Sequence, residues 1–148
     1  MMRLAAARTL VDAAIAHAEG LGARATVCVL DAGANVVLQA RMDGASLMGL
    51  QIAHDKAHTA VGLDMPSGAL QEHLQPGALL YGFNTPGMLP LGGGFPVHED
   101  GVLVGAIGVS GPSATPTSRS PRRRCRRCDP RGAGPRDGRR HRRGDRHR

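Results

Sequence analysis

The chain changes character after Gly111, and this change limits which part of it can fold. Residues 1–111 carry Leu, Val, Ile and Ala at regular spacings, whereas residues 112–148 consist mainly of Arg, Pro, Gly, Ser and Thr. The first part has five basic and nine acidic residues, a net charge of −4, and the second has fourteen Arg and three Asp, a net of +11. Because apolar burial must offset the entropy lost on folding, we expect one domain at 1–111 and a disordered Arg-rich tail at 112–148.

The spacing of apolar residues within the first part predicts a mixed fold. Helical periodicity predicts helices at 3–19, 46–63 and 67–73, the last with Ser67 as its N-cap. Apolar and β-branched runs predict strands at 25–30, 36–40, 88–91, 95–98 and 102–109. The Asp, Gly and Asn residues between the first two strands favour a hairpin turn, so that pair is antiparallel. The order α-β-β-α-α-β-β-β predicts an α+β fold with a mainly antiparallel, five-stranded sheet and helices packed on it.

The cysteines and the first twenty residues bear on location. Cys28 lies in an apolar run and is expected to be a buried thiol, while an odd count including Cys125 and Cys128 argues against a disulfide framework. Asp12 and Glu19 interrupt the apolar residues near the N-terminus, so this segment does not resemble a signal peptide. No apolar run approaches the 18 or so residues that cross a bilayer. We therefore expect a cytoplasmic protein without a membrane anchor.

The tail has three competing interpretations. The first is an arm that binds nucleic acid, although the tail lacks the Lys and aromatic residues typical of such arms. The second is a zinc site built on Cys125 and Cys128 with His141 or His147, although a single CxxC is only half of a site. The third is a reading-frame shift, because Arg, Pro, Ala and Gly without Lys are typical of GC-rich DNA read in a wrong frame. Codons for 111–128 can be chosen so that an adjacent frame encodes an Ala-rich helix, and we favour this third interpretation.

Six short motifs in the first part occur in a distinctive order. They are 29–33 (VLDAG), 40–44 (ARMDG), 53–60 (AHDKAHTA), 75–77 (QPG), 91–96 (LGGGFP) and 104–111 (VGAIGVSG). Together they resemble the GlcG/HbpS family, the heme-binding or heme-degrading domain. The resemblance implies an α/β sandwich, a homo-oligomer, and binding of heme or a related tetrapyrrole. The family usually ends in an Ala-rich helix after the last strand, so a terminal helix is expected to be missing here.

Four residues are candidates for the heme site, which requires an apolar slot, an axial donor and cations for the propionates. His17 borders the packed face of the first helix, and the resemblance implies a first-helix histidine as the metal ligand; the alternative is a surface histidine. Lys56 is the only lysine in the chain and is a candidate propionate partner, or else bonds a loop acid such as Asp31. The resemblance implies that Thr59 contacts the iron or the pocket wall. Arg41 is a second propionate candidate, or part of a local ion pair.

Two further motifs have weaker interpretations. His54 and His58 share a helix face and have metal-ligand spacing, but with Asp55 expected to point elsewhere they have no third donor. We expect them to form a solvated face. The glycines 92–94 present backbone N–H groups to an anion or, more simply, form a bend.

The leading hypothesis is a small cytosolic domain that sequesters or senses heme, without predicted catalytic residues. The alternatives are an enzyme or accessory protein acting on a small carbon substrate or a cobalamin-related metabolite through Lys56, and nucleic-acid binding through the Arg-rich tail.

Overall fold

The computed structural model describes residues 1–83 and 85–111. Its elements are α1 (Leu4–Gly20), β1 (Thr26–Asp31), β2 (Val36–Arg41), α2 (Gly49–Leu63), a 3₁₀ helix (Ser67–Leu74), β3 (Gly94–Glu99) and β4 (Val102–Ser110). The predictions for 112–148, namely the disordered tail, its three interpretations and the missing helix, lie outside these residues.

The four strands form an antiparallel sheet in the order β2-β1-β4-β3. The predicted hairpin of β1 and β2 is confirmed. Its turn is closed by the carboxylate of Asp31, whose Oδ1 accepts hydrogen bonds of 2.9 Å from the backbone N–H groups of Gly33 and Asn35. Ala34 has a φ of 62°, in the left-handed region that such turns require.

The prediction of a fifth strand at 88–91 is wrong, because the sheet has four strands. Pro90 has no backbone N–H to donate to a ladder. The N–H of Leu89 donates instead to the side chain of Thr59, and that of Leu91 turns back to the carbonyl of Leu89 at 2.8 Å. One donor that a strand would need is therefore used by a tertiary bond and another by a local turn.

Side chains of β1 alternate between two apolar layers, one on each face of the sheet. Cys28 and Leu30 face α2, whereas Val27 and Val29 face α1. The small residues of α2 allow a close approach to the sheet: a side chain at Gly108 would overlap the backbone carbonyl of Ala53. Cys28 is a free, buried thiol, as predicted. The residues that form the α2 layer are Cys28, Leu30, Ala53, Ala57, Ala60, Val61 and Ala106.

The α1 face of the sheet is covered unevenly. Helix α1 packs mainly on β1 and β2. On the same face, Phe95 of β3 lies opposite Ile107 of β4, which lies opposite Val29 of β1. Ile107 is only half-buried and Phe95 is 51% exposed. An apolar strip of the sheet, comprising Phe95, Val97, Ile107 and Val109, is thus partly open to solvent.

Among the described residues, no helix has the length and apolar character needed to cross a membrane.

Candidate functional site

His17 lies on the exposed surface of α1, in its last turn. Residues three or four positions away on a helix are its neighbours on that surface. For His17 these are Ala13, Gly20 and Leu21, which are exposed, and Ala14, which is half-buried. The imidazole ring makes no hydrogen bond or ion pair within residues 1–83 and 85–111, so both ring nitrogens are accessible to a ligand.

Arg41 ends β2, opposite Thr26 of β1, and its side chain is exposed. It borders an open cavity of about 340 Å³. Ile15 and Glu19 of α1 border the same cavity, on the side of the helix that faces away from His17. The structure therefore brings Arg41 to the same end of the molecule as the last turns of α1.

Lys56 lies on α2 with its ammonium group half-buried against the end of β4. Its Nζ donates a hydrogen bond of 3.1 Å to the backbone carbonyl of Val109. Desolvation by this burial lowers the pKa of Lys56 below its ordinary value. Asp31 is not its partner, because that carboxylate accepts hydrogen bonds from the backbone N–H groups of Asn35 and Gly33, which lower the pKa of Asp31.

Thr59 is buried on α2 and its hydroxyl is engaged twice. The Oγ1 atom donates to the backbone carbonyl of Asp55 at 2.8 Å and accepts from the backbone N–H of Leu89 at 2.7 Å. The second bond ties the segment before β3 to the helix. The hydroxyl thus has one lone pair left for any further partner.

Close packing explains Gly93 and Gly94 at the start of β3, but not Gly92, where a Cβ would meet nothing within 4 Å. A Cβ on Gly94 would overlap the backbone carbonyl of Lys56 and lie 2.7 Å from the hydroxyl of Ser67. The Ser67 hydroxyl itself donates to the carbonyl of Leu91 at 2.5 Å and accepts from the N–H of Gly94 at 2.9 Å. Ser67 was predicted as an N-cap, and this is wrong, because the 3₁₀ helix is preceded by Pro66 and has no side-chain cap. No local pattern indicates the bonds of Ser67, since their partners lie more than 20 residues away.

His54 and His58 are half-buried, which differs from the solvated face that we expected. Their rings stack with centroids 6.0 Å apart and an interplanar angle of 19°. Asp55 was expected to point elsewhere, but its Oδ1 lies 3.1 Å from Nδ1 of His54. Within the described part of the chain, no three His, Cys, Asp or Glu side chains are placed to hold a metal ion.

The four candidate residues for heme do not form one site within a single copy of the chain. His17 belongs to α1, which packs on one face of the sheet, while Lys56 and Thr59 belong to α2 on the opposite face. The sheet therefore separates His17 from Lys56 and Thr59. Arg41 shares a cavity with Ile15 and Glu19 of α1, but His17 does not border it.

Comparison with known proteins assigns this architecture to a family. The family model described as "Haem degrading protein HbpS-like" matches residues 2–116. An uncharacterized 15.0 kDa protein from the dhaT-dhaS intergenic region of Citrobacter freundii is 38% identical over 111 residues, which are 73% of this chain and 78% of that protein.

Two further relatives carry more descriptive names. The corrinoid adenosyltransferase PduO of Salmonella typhimurium is 35% identical over 107 residues, which are 70% of this chain. This chain spans only 32% of the length of PduO. The crystal structure of a PduOC:heme complex shares 32% identity at a TM-score of 0.72, over 76% of this chain and 83% of that chain.

Proposed function

Because the chain belongs to the HbpS-like family of haem degrading proteins, we propose that it binds heme and acts by sequestering or sensing it. The observation that carries this proposal is the likeness to the PduOC:heme complex, at a TM-score of 0.72 and 32% identity. At that level of similarity the two chains share their fold.

His17 is the proposed axial ligand of the heme iron. A heme-binding surface needs a nitrogen donor within a flat apolar area. His17 provides the donor, and its neighbours Ala13, Ala14 and Leu21 supply such an area without a charged side chain among them. These apolar neighbours support the proposal that His17 faces a heme.

Arg41 is the proposed partner of a heme propionate. Its guanidinium is exposed at the end of β2, beside the cavity that Ile15 and Glu19 also border. A guanidinium pairs with a carboxylate through two parallel hydrogen bonds. The carboxylate of Glu19 would repel a propionate. The attraction between Arg41 and the propionate therefore has to exceed this repulsion for the pair to form.

Lys56 is proposed to contact a heme only when a second copy of the chain supplies it, because the sheet separates it from His17. Thr59, which is buried, is proposed to support the pocket wall rather than to reach the heme. A homo-oligomer is supported by the partly open apolar strip that includes Phe95, which is 51% exposed. Apolar strips of this kind are commonly covered by another subunit. We also propose a cytoplasmic location, which is supported by the free, buried thiol of Cys28.

A hemin titration of the purified chain tests His17. We expect the Soret band of the complex to shift and to weaken in intensity in the His17→Ala variant, because an imidazole bond to iron is lost. His73→Ala is the matched control, since His73 is an exposed histidine of the 3₁₀ helix, away from α1. Identical spectra for the wild type and His17→Ala would reject His17 as the ligand, and equal effects of both substitutions would indicate nonspecific binding.

An accessory role in the metabolism of corrinoids is a second candidate, favoured by the match to PduO. The match covers about a third of PduO, so the role would be binding rather than adenosyl transfer. Titration with cobalamin in place of hemin separates the two candidates. A saturable change in the cobalamin spectrum, with none for hemin, would favour the corrinoid role.

We retain the reading-frame shift as the proposed origin of residues 112–148. Sequencing of the coding DNA tests it, because codons that offer no helical sequence in an adjacent frame would exclude it. Salt-dependent retention on DNA that is lost when 112–148 is deleted would favour the nucleic-acid arm instead.

A further inference from the structure

The middle of α2 carries a histidine pair that the heme proposal does not use. His54 and His58 are four residues apart, so they lie one turn apart on the same helix face. Their rings stack with centroids 6.0 Å apart. Both side chains are half-buried, so the pair is partly shielded from water.

The carboxylate of Asp55 determines which ring nitrogen of His54 carries the proton. Oδ1 of Asp55 lies 3.1 Å from Nδ1 of His54 and accepts a hydrogen bond of 2.7 Å from the side-chain amide of Gln51. A carboxylate accepts only, so Nδ1 of His54 carries the proton and Nε2 carries the lone pair. The same carboxylate–histidine pairing supports the imidazole ligands of metal ions and makes the free nitrogen a better donor.

The second histidine is confined by the segment that precedes β3. Gly87 has a φ of 79°, and a Cβ there would lie 3.3 Å from Nδ1 of His58. This segment is tied to α2 by the bond from the Leu89 N–H to the Thr59 hydroxyl, at 2.7 Å. The ring of His58 thus lies between Gly87 and the ring of His54, which limits the orientations that it can adopt.

We propose that His54 and His58 form a binding site for a divalent transition-metal ion of the Ni²⁺, Cu²⁺ or Zn²⁺ class, with Asp55 as the positioning residue of His54. Imidazole nitrogens suit these ions, and two histidines at this helical spacing are an established pair of ligands for them. Asp55 keeps the His54 ring in place, and we expect the His58 ring to adjust, within the limits set by Gly87, until one of its nitrogens reaches an ion bound at Nε2 of His54. Water molecules complete the coordination, because the two histidines supply only two positions.

Calorimetric titration of the full chain with NiCl₂, without heme, tests the site. The chain carries Cys125→Ser and Cys128→Ser as a background, which removes the thiolates of the tail as competing ligands. We expect one Ni²⁺ per chain, and a loss of affinity of at least about tenfold in His54→Ala and in His58→Ala. Asp55→Ala is expected to weaken binding about tenfold, which is typical of a lost carboxylate partner. His73→Ala is the matched control and is expected to bind as the background does.

Two further measurements keep the result interpretable. Circular dichroism establishes that each variant is folded, and His54→Gln replaces His54→Ala if the latter is not. With Cu²⁺ as the probe, the electron paramagnetic resonance spectrum is expected to show coupling to two nitrogens. Unchanged Ni²⁺ affinity in both histidine variants, or affinity that depends on His141 and His147, would overturn the proposal.

Discussion

The ammonium group of Lys56 donates a hydrogen bond of 3.1 Å to the backbone carbonyl of Val109. Within residues 1–83 and 85–111, this half-buried cation contacts no carboxylate. A charge in such a place is less well hydrated than in the unfolded chain, and this lowers the pKa of Lys56 below 10.5.

The stability of the domain should therefore gain a contribution from Lys56 at alkaline pH. The folded-state pKa lies below the unfolded-state value of 10.5, so between these two values the unfolded chain binds more protons. The Lys56 contribution to the free energy of unfolding then rises with pH through this window. Because other groups act in the same pH range, the test is a difference: in urea unfolding, Lys56→Met is expected to lose more stability on going to alkaline pH than the wild type and the exposed-cation control Arg8→Met do. Identical pH profiles for Lys56→Met and the wild type would contradict this.

Cys28 is expected to act in the opposite direction. Burial raises the pKa of its thiol from 9.0 to about 11, so the unfolded chain loses this proton first. The contribution of Cys28 is fully present below pH 9.0 and is lost as the pH rises to about 11. A shift of this size corresponds to roughly 2 to 3 kcal/mol. Cys28→Ala should flatten the alkaline loss of stability measured by urea unfolding, and an equally steep loss in that variant would refute the assignment.

Gly92 and Gly94, at the start of β3, should differ sharply in their tolerance of a side chain. A Cβ at Gly94 would overlap the carbonyl of Lys56, whereas one at Gly92 has nothing within 4 Å. We expect Gly94→Ala to lower the free energy of unfolding by about 1–3 kcal/mol, as overpacking does. Gly92→Ala, the matched control, is expected to stay near the wild type. Equal losses for the two variants would mean that backbone freedom, rather than close packing, determines both positions.

The hydroxyl of Thr59 should hold the segment before β3 in place. Thr59→Val keeps the size of the side chain but leaves the N–H of Leu89 without its acceptor, at a cost of about 1–3 kcal/mol. Hydrogen exchange is expected to accelerate at the Leu89 amide in Thr59→Val and to remain slow in Thr59→Ser, which keeps the hydroxyl. Acceleration in both variants would show that the methyl group, not the hydroxyl, matters.

Much of the fold was predictable because its signals are local. The hairpin of β1 and β2 follows from a turn containing Asp31 and Asn35, and both of its strands were predicted within one residue of their observed bounds. The helix predicted from residue 46 begins at Gly49, because residues 46–48 lack the full set of helical bonds. Local patterns of apolar residues and turn residues carry this information.

The parts that could not be predicted depend on contacts between distant residues. The apolar run at 88–91 resembled a strand, but the Leu89 N–H is used by Thr59, thirty positions earlier. The same holds for Ser67, whose hydroxyl bonds to Leu91 and Gly94. Helical spacing placed His54 and His58 on one face, yet only the packing of Gly87 against His58 shows that this face is not freely solvated.

Absorption spectroscopy of the purified full chain during stepwise addition of hemin tests the central claim most directly. Heme binding predicts a Soret band that is displaced from that of free hemin and that saturates at a fixed ratio of heme to chain. A spectrum that remains the sum of free hemin and protein at every ratio would contradict the claim that this chain binds heme.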